Sequence, residues 1–364
     1  MSKRILFLVN HDVVIYNFRL EIVERFIKDG HEVHICSPFG ERINDLKTLG
    51  AIYHEMKMDR HGMNPIEELN ILNFYKKLIK DIQPDICLGF TIKPNLYGAI
   101  AAGKNKVPFV ANITGLGTAV ETPGLSQKIT VILYRYAFKR VQTIFYQNEE
   151  NQQFFIDHGI EKGKGKLLPG SGVNLERYPY QDYPEDGVIR FAFISRIMKE
   201  KGIDQYLDAA ETIRKKYGDM VEFNVFGFCE PEYDGRLQIE NEKGDVKYHG
   251  MIRNVAERMA QMHCIVHPTY YPEGISNVLL EACATGRPII TTNRSGCREV
   301  VEDNKNGFMI PCKKTDALIN AIEKFLHLSW EEKKRMGIEA RMTVERRFDR
   351  QIVVEKYVEE VEKS

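Results

Sequence analysis

Three short segments in the second half of this 364-residue chain gather residue types that bind and stabilise anions. The first runs over residues 195–202 and carries Arg196 and Lys201. It follows a short apolar run and opens a helical pattern at Ile203, so both cations fall on a strand-to-helix loop. Arg196 offers a rigid fork of N–H groups, and Lys201 a compact charge near a helix start. Such cations repel each other unless an anion lies between them, and a phosphate satisfies both. A single Arg or Lys is more often a solvated surface charge. Here two cations bracket one loop, and that favours the phosphate.

The second segment covers residues 271–282 and reads Tyr-Pro-Glu-Gly-Ile-Ser-Asn-Val-Leu-Leu-Glu-Ala. Gly274 allows backbone to approach a ligand closely. Beyond Ile275, Ser276 or Asn277 can cap the helix that begins there, whose first N–H groups favour an anion. Glu281 lies about four residues into that helix, roughly 6 Å along its axis. Glu273 and Glu281 therefore flank an anion site. A diphosphate between a ribose and a hexose presents hydroxyls in that arrangement, with Glu273 accepting from the hexose and Glu281 from the ribose. Read otherwise, Glu281 is an ordinary helix residue. Its neighbours Leu279, Leu280, Ala282 and Ala284 are apolar, however, so its carboxylate needs a partner. The third segment, residues 292–299, holds Asn293, Arg294, Arg298 and Glu299 and reads as a rim of the same site.

The elements that must position these loops follow from hydrophobic periodicity. In the first half, strands are expected at 5–9, 32–36, 86–90, 109–112 and 143–146. Helices are expected at 17–29, 65–81, 96–103, 126–140 and 149–158. After a Pro- and Gly-rich stretch the alternation restarts, with strands at 191–194, 222–226, 265–267 and 288–292 and helices at 203–217, 254–262, 278–285 and 316–326. Alternation of this kind predicts an α/β protein of two parallel sheets covered by helices. The expected division is a domain over 1–169, a hinge over 170–187, a domain over 188–345 and a closing helix over 346–364. That helix is expected to cross back onto the first domain, because Phe348, Ile352 and Tyr357 give it an apolar face too large to leave wet. In open α/β sheets ligands bind beyond the carboxyl ends of the strands, where all three loops fall.

Composition narrows the classes. Hydrophobic residues make up 43% and charged residues 28%, so a packed globular protein is expected rather than a disordered one, and 51 basic against 51 acidic residues leave no basic excess for a partner such as duplex DNA. The seven cysteines are scattered, with no C-x-x-C, and read as reduced thiols of a cytoplasmic protein. His31 and His34, and His263 and His267, sit in strand-like regions where their spacing makes no zinc site, and His249 is a candidate cleft residue by position. The apolar run at 5–9 is too short for a signal peptide, and no run approaches the roughly 20 residues of a membrane span. Residues 126–141 combine Ile129, Ile132, Leu133, Tyr136 and Phe138 with Lys128, Arg135, Lys139 and Arg140. Two readings stay open there, a core helix with a basic side and a helix lying on an anionic membrane.

The run P-E-G-I-S-N-V-L-L-E-A, residues 272–282, resembles the Glu-x7-Glu motif of retaining glycosyltransferases of family four. S-R-I-M-K-E-K-G, residues 195–202, resembles their phosphate-binding loop. Residues 170–178, 286–299 and 306–311 resemble the hinge and the following segments of that family. The resemblance implies the GT-B fold, two Rossmann-like domains facing across a cleft. It assigns Arg196 and Lys201 to the diphosphate, Glu273 to the donated sugar and Glu281 to the ribose, with Gly274, Ile275, Ser276 and Asn277 beside them. Arg196, Lys201 and Glu273 are its candidate catalytic residues. In the first half, V-I-Y-N-F-R (14–19), F-T-I-K-P-N-L-Y-G (90–98) and N-I-T-G-L-G (112–117) look like bacterial enzymes that build capsule, O-antigen or lipid-linked glycans. Asn17, Arg19, Lys93, Gly115 and Gly117 are the acceptor-side candidates that follow. Two departures stand out. Asn10-His11-Asp12 replaces the family's frequent Gly pair, and Ile92 and Lys93 stand near where a histidine is often found.

Transferases of the other large fold commonly hold a metal with Asp-x-Asp, and none occurs in this chain. A reaction without metal or other cofactor is therefore expected, with Arg196, Lys201 and helix N–H groups stabilising a leaving UDP. The expected partners are a nucleotide-sugar and a glycan or polyprenyl-diphosphate-sugar acceptor, with peripheral contact to the cytoplasmic face of the inner membrane and no nucleic acid. Two other classes compete with a transferase. A nucleotide-sugar 2-epimerase of related fold would need acidic residues and a histidine at the sugar carbon. A catalytically silent nucleotide-sugar-binding subunit would not need both loops intact.

Overall fold

Two parallel sheets organise the chain, each with central strands that are buried on both faces. The computed structural model describes residues 1–58, 64–116, 124–185 and 187–364. Among these, the first sheet comprises β1 (Arg4–Leu8), β2 (Glu32–Ser37), β3 (Ile52–Glu55), β4 (Ile86–Phe90), β5 (Phe109–Ile113), β6 (Thr143–Tyr146) and β7 (Gly165–Leu167). Its order is β3-β2-β1-β4-β5-β6-β7. The second comprises β8 (Ile189–Ile194), β9 (Val221–Phe226), β10 (Lys247–Tyr248), β11 (Cys264–His267), β12 (Ile289–Thr292) and β13 (Gly307–Ile310), in the order β10-β9-β8-β11-β12-β13. Residues Met1–Gly172 and Arg350–Ser364 form one compact unit and Val173–Asp349 the other.

The helices of the first unit are α1 (Asp12–Phe18), α2 (Leu20–Lys28), α3 (Ile43–Thr48), α4 (Pro65–Ile82), α5 (Ala99–Asn105), α6 (Leu125–Ala137) and α7 (Glu149–Asp157). The second unit holds α8 (Ile203–Tyr217), α9 (Asp234–Lys243), α10 (Val255–Ala260), α11 (Asn277–Ala284), α12 (Thr315–His327) and α13 (Trp330–Arg347), and α14 (Arg350–Glu362) belongs to the first. Strands read as continuous apolar runs because helices cover both faces. In β1, Leu6 and Leu8 enter one core, and Ile5 and Phe7 the other. In β8 and β9, Phe191, Phe193, Phe223 and Val225 share one core, while Ala192 and Phe226 face the opposite one.

Several expectations change in detail. The single helix expected at 17–29 is two, broken where Arg19 leaves helical geometry at φ −141° and ψ 9°. The elements β3, β7 and β10 are short with largely exposed or half-exposed residues, and carry little periodic signal. Most of the stretch expected as a hinge is fastened to the second unit. The buried Arg287 guanidinium donates to Gln181 O at 3.0 Å and Asp182 O at 2.9 Å. The Tyr183 hydroxyl donates to His263 O at 2.9 Å, and the Trp330 indole to Pro184 O at 2.9 Å.

Helix α14 buries Val353, Val354, Tyr357 and Val361 against Ile5, Phe7 and Ile22 of the first unit. Ile352 is 36% exposed and takes no part in that face, and Phe348 lies before the helix in a core of the second unit. The Tyr357 hydroxyl accepts from the Asn112 amide and lies beside the Arg19 guanidinium. Arg350 reaches Glu21 at 2.9 Å and Gly172 O at 3.1 Å. Tyr357→Phe would leave the buried Asn112 amide N–H without its acceptor. It is expected to destabilise the first unit by about 1–3 kcal/mol, seen as an earlier transition in urea; an unchanged transition would show that the hydroxyl contributes nothing.

Candidate active site

Strands β8, β11 and β12 are neighbours in the second sheet, and all run the same way. Parallel pairing therefore puts the loops that follow them side by side at one edge. The loop after β8 makes one tight turn, Lys199–Lys201, before α8. Gly202 there has φ +80°, and a Cβ on it would lie 2.2 Å from Pro268 O. Only glycine lets this loop press against the one after β11. Thr269 Oγ1 and the Tyr270 N–H both donate to Glu200 O, at 3.2 and 2.9 Å.

That contact brings Lys201 to Glu273. Their side chains form a direct ion pair, 14% and 15% exposed respectively. The Lys201 ammonium also lies 4.8 Å from the centre of the Tyr271 ring. Arg196, half-exposed, turns instead toward Glu230 on the loop after β9, at 3.7 Å. The two cations expected to share one anion thus each face a carboxylate of their own. Gly274, Ile275 and Ser276 are buried, and Asn277 and Glu281 are half-buried at the start of α11. Ser276 occupies the cap position, but its hydroxyl has no hydrogen-bond partner among the described residues. Its N–H donates to Gly296 O at 2.8 Å, which ties the third loop to the second. Gly296 stands at φ +92° with Gly274 O 2.6 Å from where a Cβ would be. The Glu299 carboxylate accepts from the Gly296 N–H at 2.7 Å and from Ser295 Oγ at 3.3 Å.

In the first unit, β4 and β5 are paired, so Lys93 and Gly115 lie on adjacent loops beyond their carboxyl ends. Lys93 pairs with Glu68 at 2.6 Å, and both side chains are largely buried. Gly115 is half-buried, and Gly117 lies outside the described residues. Asn17 is half-buried, with its carbonyl accepting from Arg350 at 3.2 Å. Arg19 corrects the expectation drawn for it. It is 1% exposed, donates to Phe18 O at 2.6 Å, lies beside Tyr357, and is 5.3 Å from the Phe90 ring. A guanidinium without accessible surface holds α14 rather than meeting an acceptor. His249 is likewise occupied, stacked on Phe226 and 2.7 Å from Asn224 Oδ1.

Residues 181–343 match the family model described as Glycosyl transferases group 1, and residues 4–148 match the model described as Glycosyl transferase 4-like. The chain is a glycosyltransferase of this family. It is 25% identical to the N,N'-diacetylbacillosaminyl-diphospho-undecaprenol alpha-1,3-N-acetylgalactosaminyltransferase of Campylobacter jejuni, over 98% of this chain and 97% of that one. It is also 25% identical to the capsular polysaccharide biosynthesis glycosyltransferase CapM of Staphylococcus aureus, over 92% and 90%. A glycosyltransferase from Rickettsia africae has the same GT-B fold, with a TM-score of 0.84 at 18% identity over 100% and 98% of the two chains. So does HepE of Anabaena, solved with UDP and glucose, with a TM-score of 0.81 at 18% identity over the whole of both chains.

Four residues near the strand-end loops carry no clear signal in the sequence, three in the second unit and one in the first. Glu230 lies on a loop without a recognisable motif. His267 looks like any strand-end histidine. Glu299 reads only as rim. Thr91, at the end of β4, has φ +70° and an unpartnered hydroxyl. A β-branched residue is strained there, and nothing in the residue pattern announces it. Among the described residues no group of three or more His, Cys, Asp or Glu is placed to hold a metal ion.

Burial pushes the Glu273 carboxyl up, but Lys201 and then His267 outweigh it and hold it down to about 2. A depressed carboxyl stabilises the fold above its unfolded value of about 4.3 and loses that contribution as pH falls toward 2. Glu273→Gln is therefore expected to flatten the acid side of the stability profile of the second unit, by up to about 3 kcal/mol between pH 5 and 2. Denaturant titrations at stepped pH measure this. Parallel profiles for the two proteins would show that Lys201 does not hold the carboxyl down.

Proposed function

We propose that this glycosyltransferase moves a hexose or N-acetylhexosamine from a UDP-sugar to a polyprenyl-diphosphate-linked saccharide, with retention at the anomeric carbon and without a metal, in assembly of a bacterial surface or lipid-linked glycan. The observation that carries the reading is the Lys201–Glu273 pair, set where the loops after β8 and β11 meet beside the start of α11. In this reading the diphosphate takes Lys201 and the N–H groups at the start of α11, with Arg196 turning in from Glu230. These groups oppose the charge that develops on the leaving UDP. Glu273 accepts hydrogen bonds from the donated sugar and Glu281 from the ribose. The acceptor oxygen bonds to the anomeric carbon as the carbon–phosphate oxygen bond breaks on the same face. The departing phosphate oxygen takes the acceptor's proton, so no protein base is required. Asn17, Lys93, Gly115 and Gly117 are the acceptor-side residues of this reading. The Campylobacter relative is named for a diphospho-undecaprenol acceptor, and HepE was solved with UDP and glucose, which supports both substrate classes.

Helix α6 supports a membrane contact. Leu125, Ile129, Ile132 and Tyr136 are 75%, 50%, 63% and 63% exposed, next to exposed Lys128, Arg135, Lys139 and Arg140. Phe138, grouped with that apolar set in the sequence, is buried instead. Among the described residues no helix is long and apolar enough to cross a membrane, so the contact proposed is peripheral and on the cytoplasmic face.

A donor screen tests the transfer. UDP release is expected from one UDP-sugar, only when a polyprenyl-diphosphate saccharide is present, and at an unchanged rate in EDTA. GDP release would overturn the choice of nucleotide. Loss in EDTA with recovery in magnesium would overturn the metal-free step. A UDP-sugar altered without acceptor would make the enzyme an epimerase. Flotation with anionic liposomes at low salt tests α6. The protein is expected in the lipid fraction and Ile129→Glu/Ile132→Glu in the pellet; a parent protein that stays in the pellet removes the membrane contact.

A further inference from the structure

A half-open cavity of 780 Å³ lies in the first unit, beyond the carboxyl end of β3. One wall is residues 55–58. The other is a single stripe of α4, Glu67, Asn70, Ile71 and Phe74, at i, i+3, i+4 and i+7. The Met56 N–H still donates to Ser37 O at 3.0 Å, so the alternation of this edge strand continues past Glu55. Glu55 and Lys57 are exposed, while Met56 is buried and Met58 half-buried. On α4, Glu67 and Asn70 are exposed, Ile71 is buried and Phe74 half-buried. The floor is therefore two thioethers, a phenyl ring and a branched alkyl group, and the four polar side chains stand at the rim. A saccharide is held by polar groups that converge on its hydroxyls, and this floor offers none. A diphosphate would meet two carboxylates and one ammonium at the rim. An apolar chain suits the cavity better, and methionine side chains adapt to a flexible one.

The cavity lies beside a residue of the proposed acceptor side. Glu68, next to Glu67 in the first turn of α4, pairs with Lys93 at 2.6 Å. Successive helix residues point about 100° apart, so the cavity and Lys93 flank the same turn of one helix. A helix with its side chains is about 10 Å across. A ligand whose diphosphate lies near Lys93 reaches the cavity with the first carbons of the group esterified to it. We propose that this cavity binds the isoprene units next to the diphosphate, an inference that rests on the polyprenyl-diphosphate acceptor of the proposed function. The protein itself then recognises the chain, in addition to any hold the membrane has on it. Binding there secures the acceptor by its lipid end and leaves the saccharide free to receive the donated sugar.

The test compares soluble acceptors that carry the same saccharide diphosphate, one esterified to geraniol and one to methanol, with the full chain and no membrane present. Any preference for geranyl then comes from the protein. Burial of the chain is expected to give the geranyl acceptor a KM at least about tenfold below that of the methyl one. Met58→Glu puts a charge in the floor and is expected to bring the two KM values within about twofold of each other. Met58→Ala removes the thioether without adding a charge and is expected to shrink the difference by about threefold. Both acceptors meet the same folded protein, so the ratio does not depend on how much of a variant folds. Should Met58→Glu give no folded protein by circular dichroism, Met58→Ala carries the test. Equal KM values in the parent would overturn the cavity's role and leave the transfer in place. Variants that raise both KM values by the same factor would overturn it too, by showing that the chain is not what the cavity holds. No transfer to either acceptor, nor to a longer polyprenyl-diphosphate saccharide, would remove the acceptor reading and the cavity's ligand with it.

Discussion

An ammonium and a carboxylate, each about one-seventh exposed, meet at the edge of the second sheet, and the proposed donor site is built around their contact. A pair of this kind adds little net stability, because the desolvation of both charges offsets most of their attraction. Its effect is positional. Lys201 comes from the loop after β8 and Glu273 from the loop after β11, so the pair fixes two separate stretches of chain at one point. Tyr271 covers the ammonium, His267 lies below the carboxylate, and the buried Cys297 has its thiol pushed up, first by burial and then by the Glu273 charge. The surroundings are therefore poor in water, and any charge that enters or leaves is strongly felt.

The backbone that permits this contact is specific. Gly202 and Gly296 both take positive φ where a Cβ would strike a carbonyl of the neighbouring loop. The three loops are stacked as closely as backbone allows, with Glu200 O and Gly296 O as the acceptors that join them. Glu299 stiffens the outermost loop by accepting from its own turn. Groups on rigid, hydrogen-bonded loops need less reorganisation when charge develops at the leaving phosphate, the condition under which electrostatic stabilisation is strongest.

The first unit meets a different constraint. Its last helix arrives from the far end of the sequence, and Arg19, Asn112 and Tyr357 form the polar contact that receives it. Arg19 looks like an acceptor-side cation in the sequence because its neighbours resemble a family loop. Burial gives it a structural role instead. It is desolvated, its basicity is lowered, and its guanidinium donates to Phe18 O beside the Tyr357 hydroxyl. Lys93, from an equally short motif, keeps a place beyond β4, paired with Glu68. Motif resemblance places residues along the chain, but whether a side chain faces solvent depends on what the rest of the chain lays over it.

Local pattern was enough for the alternating strands and helices, for the parallel class, and for placing Arg196 and Lys201 on the segment after β8 and Glu273 and Glu281 on the segment after β11. These depend on periodicity and on loop chemistry at strand ends, both of which are local. Tertiary structure alone decided that Lys201 meets Glu273 while Arg196 meets Glu230, that Arg287 fastens residues 181 and 182 to the second unit, and that His267 lies 3.8 Å from the Glu273 carboxylate. Each of these joins residues that are not neighbours in the chain, through loop packing and exclusion of water. Residue type and spacing carry no record of either until the sheet order has set which strand ends are neighbours.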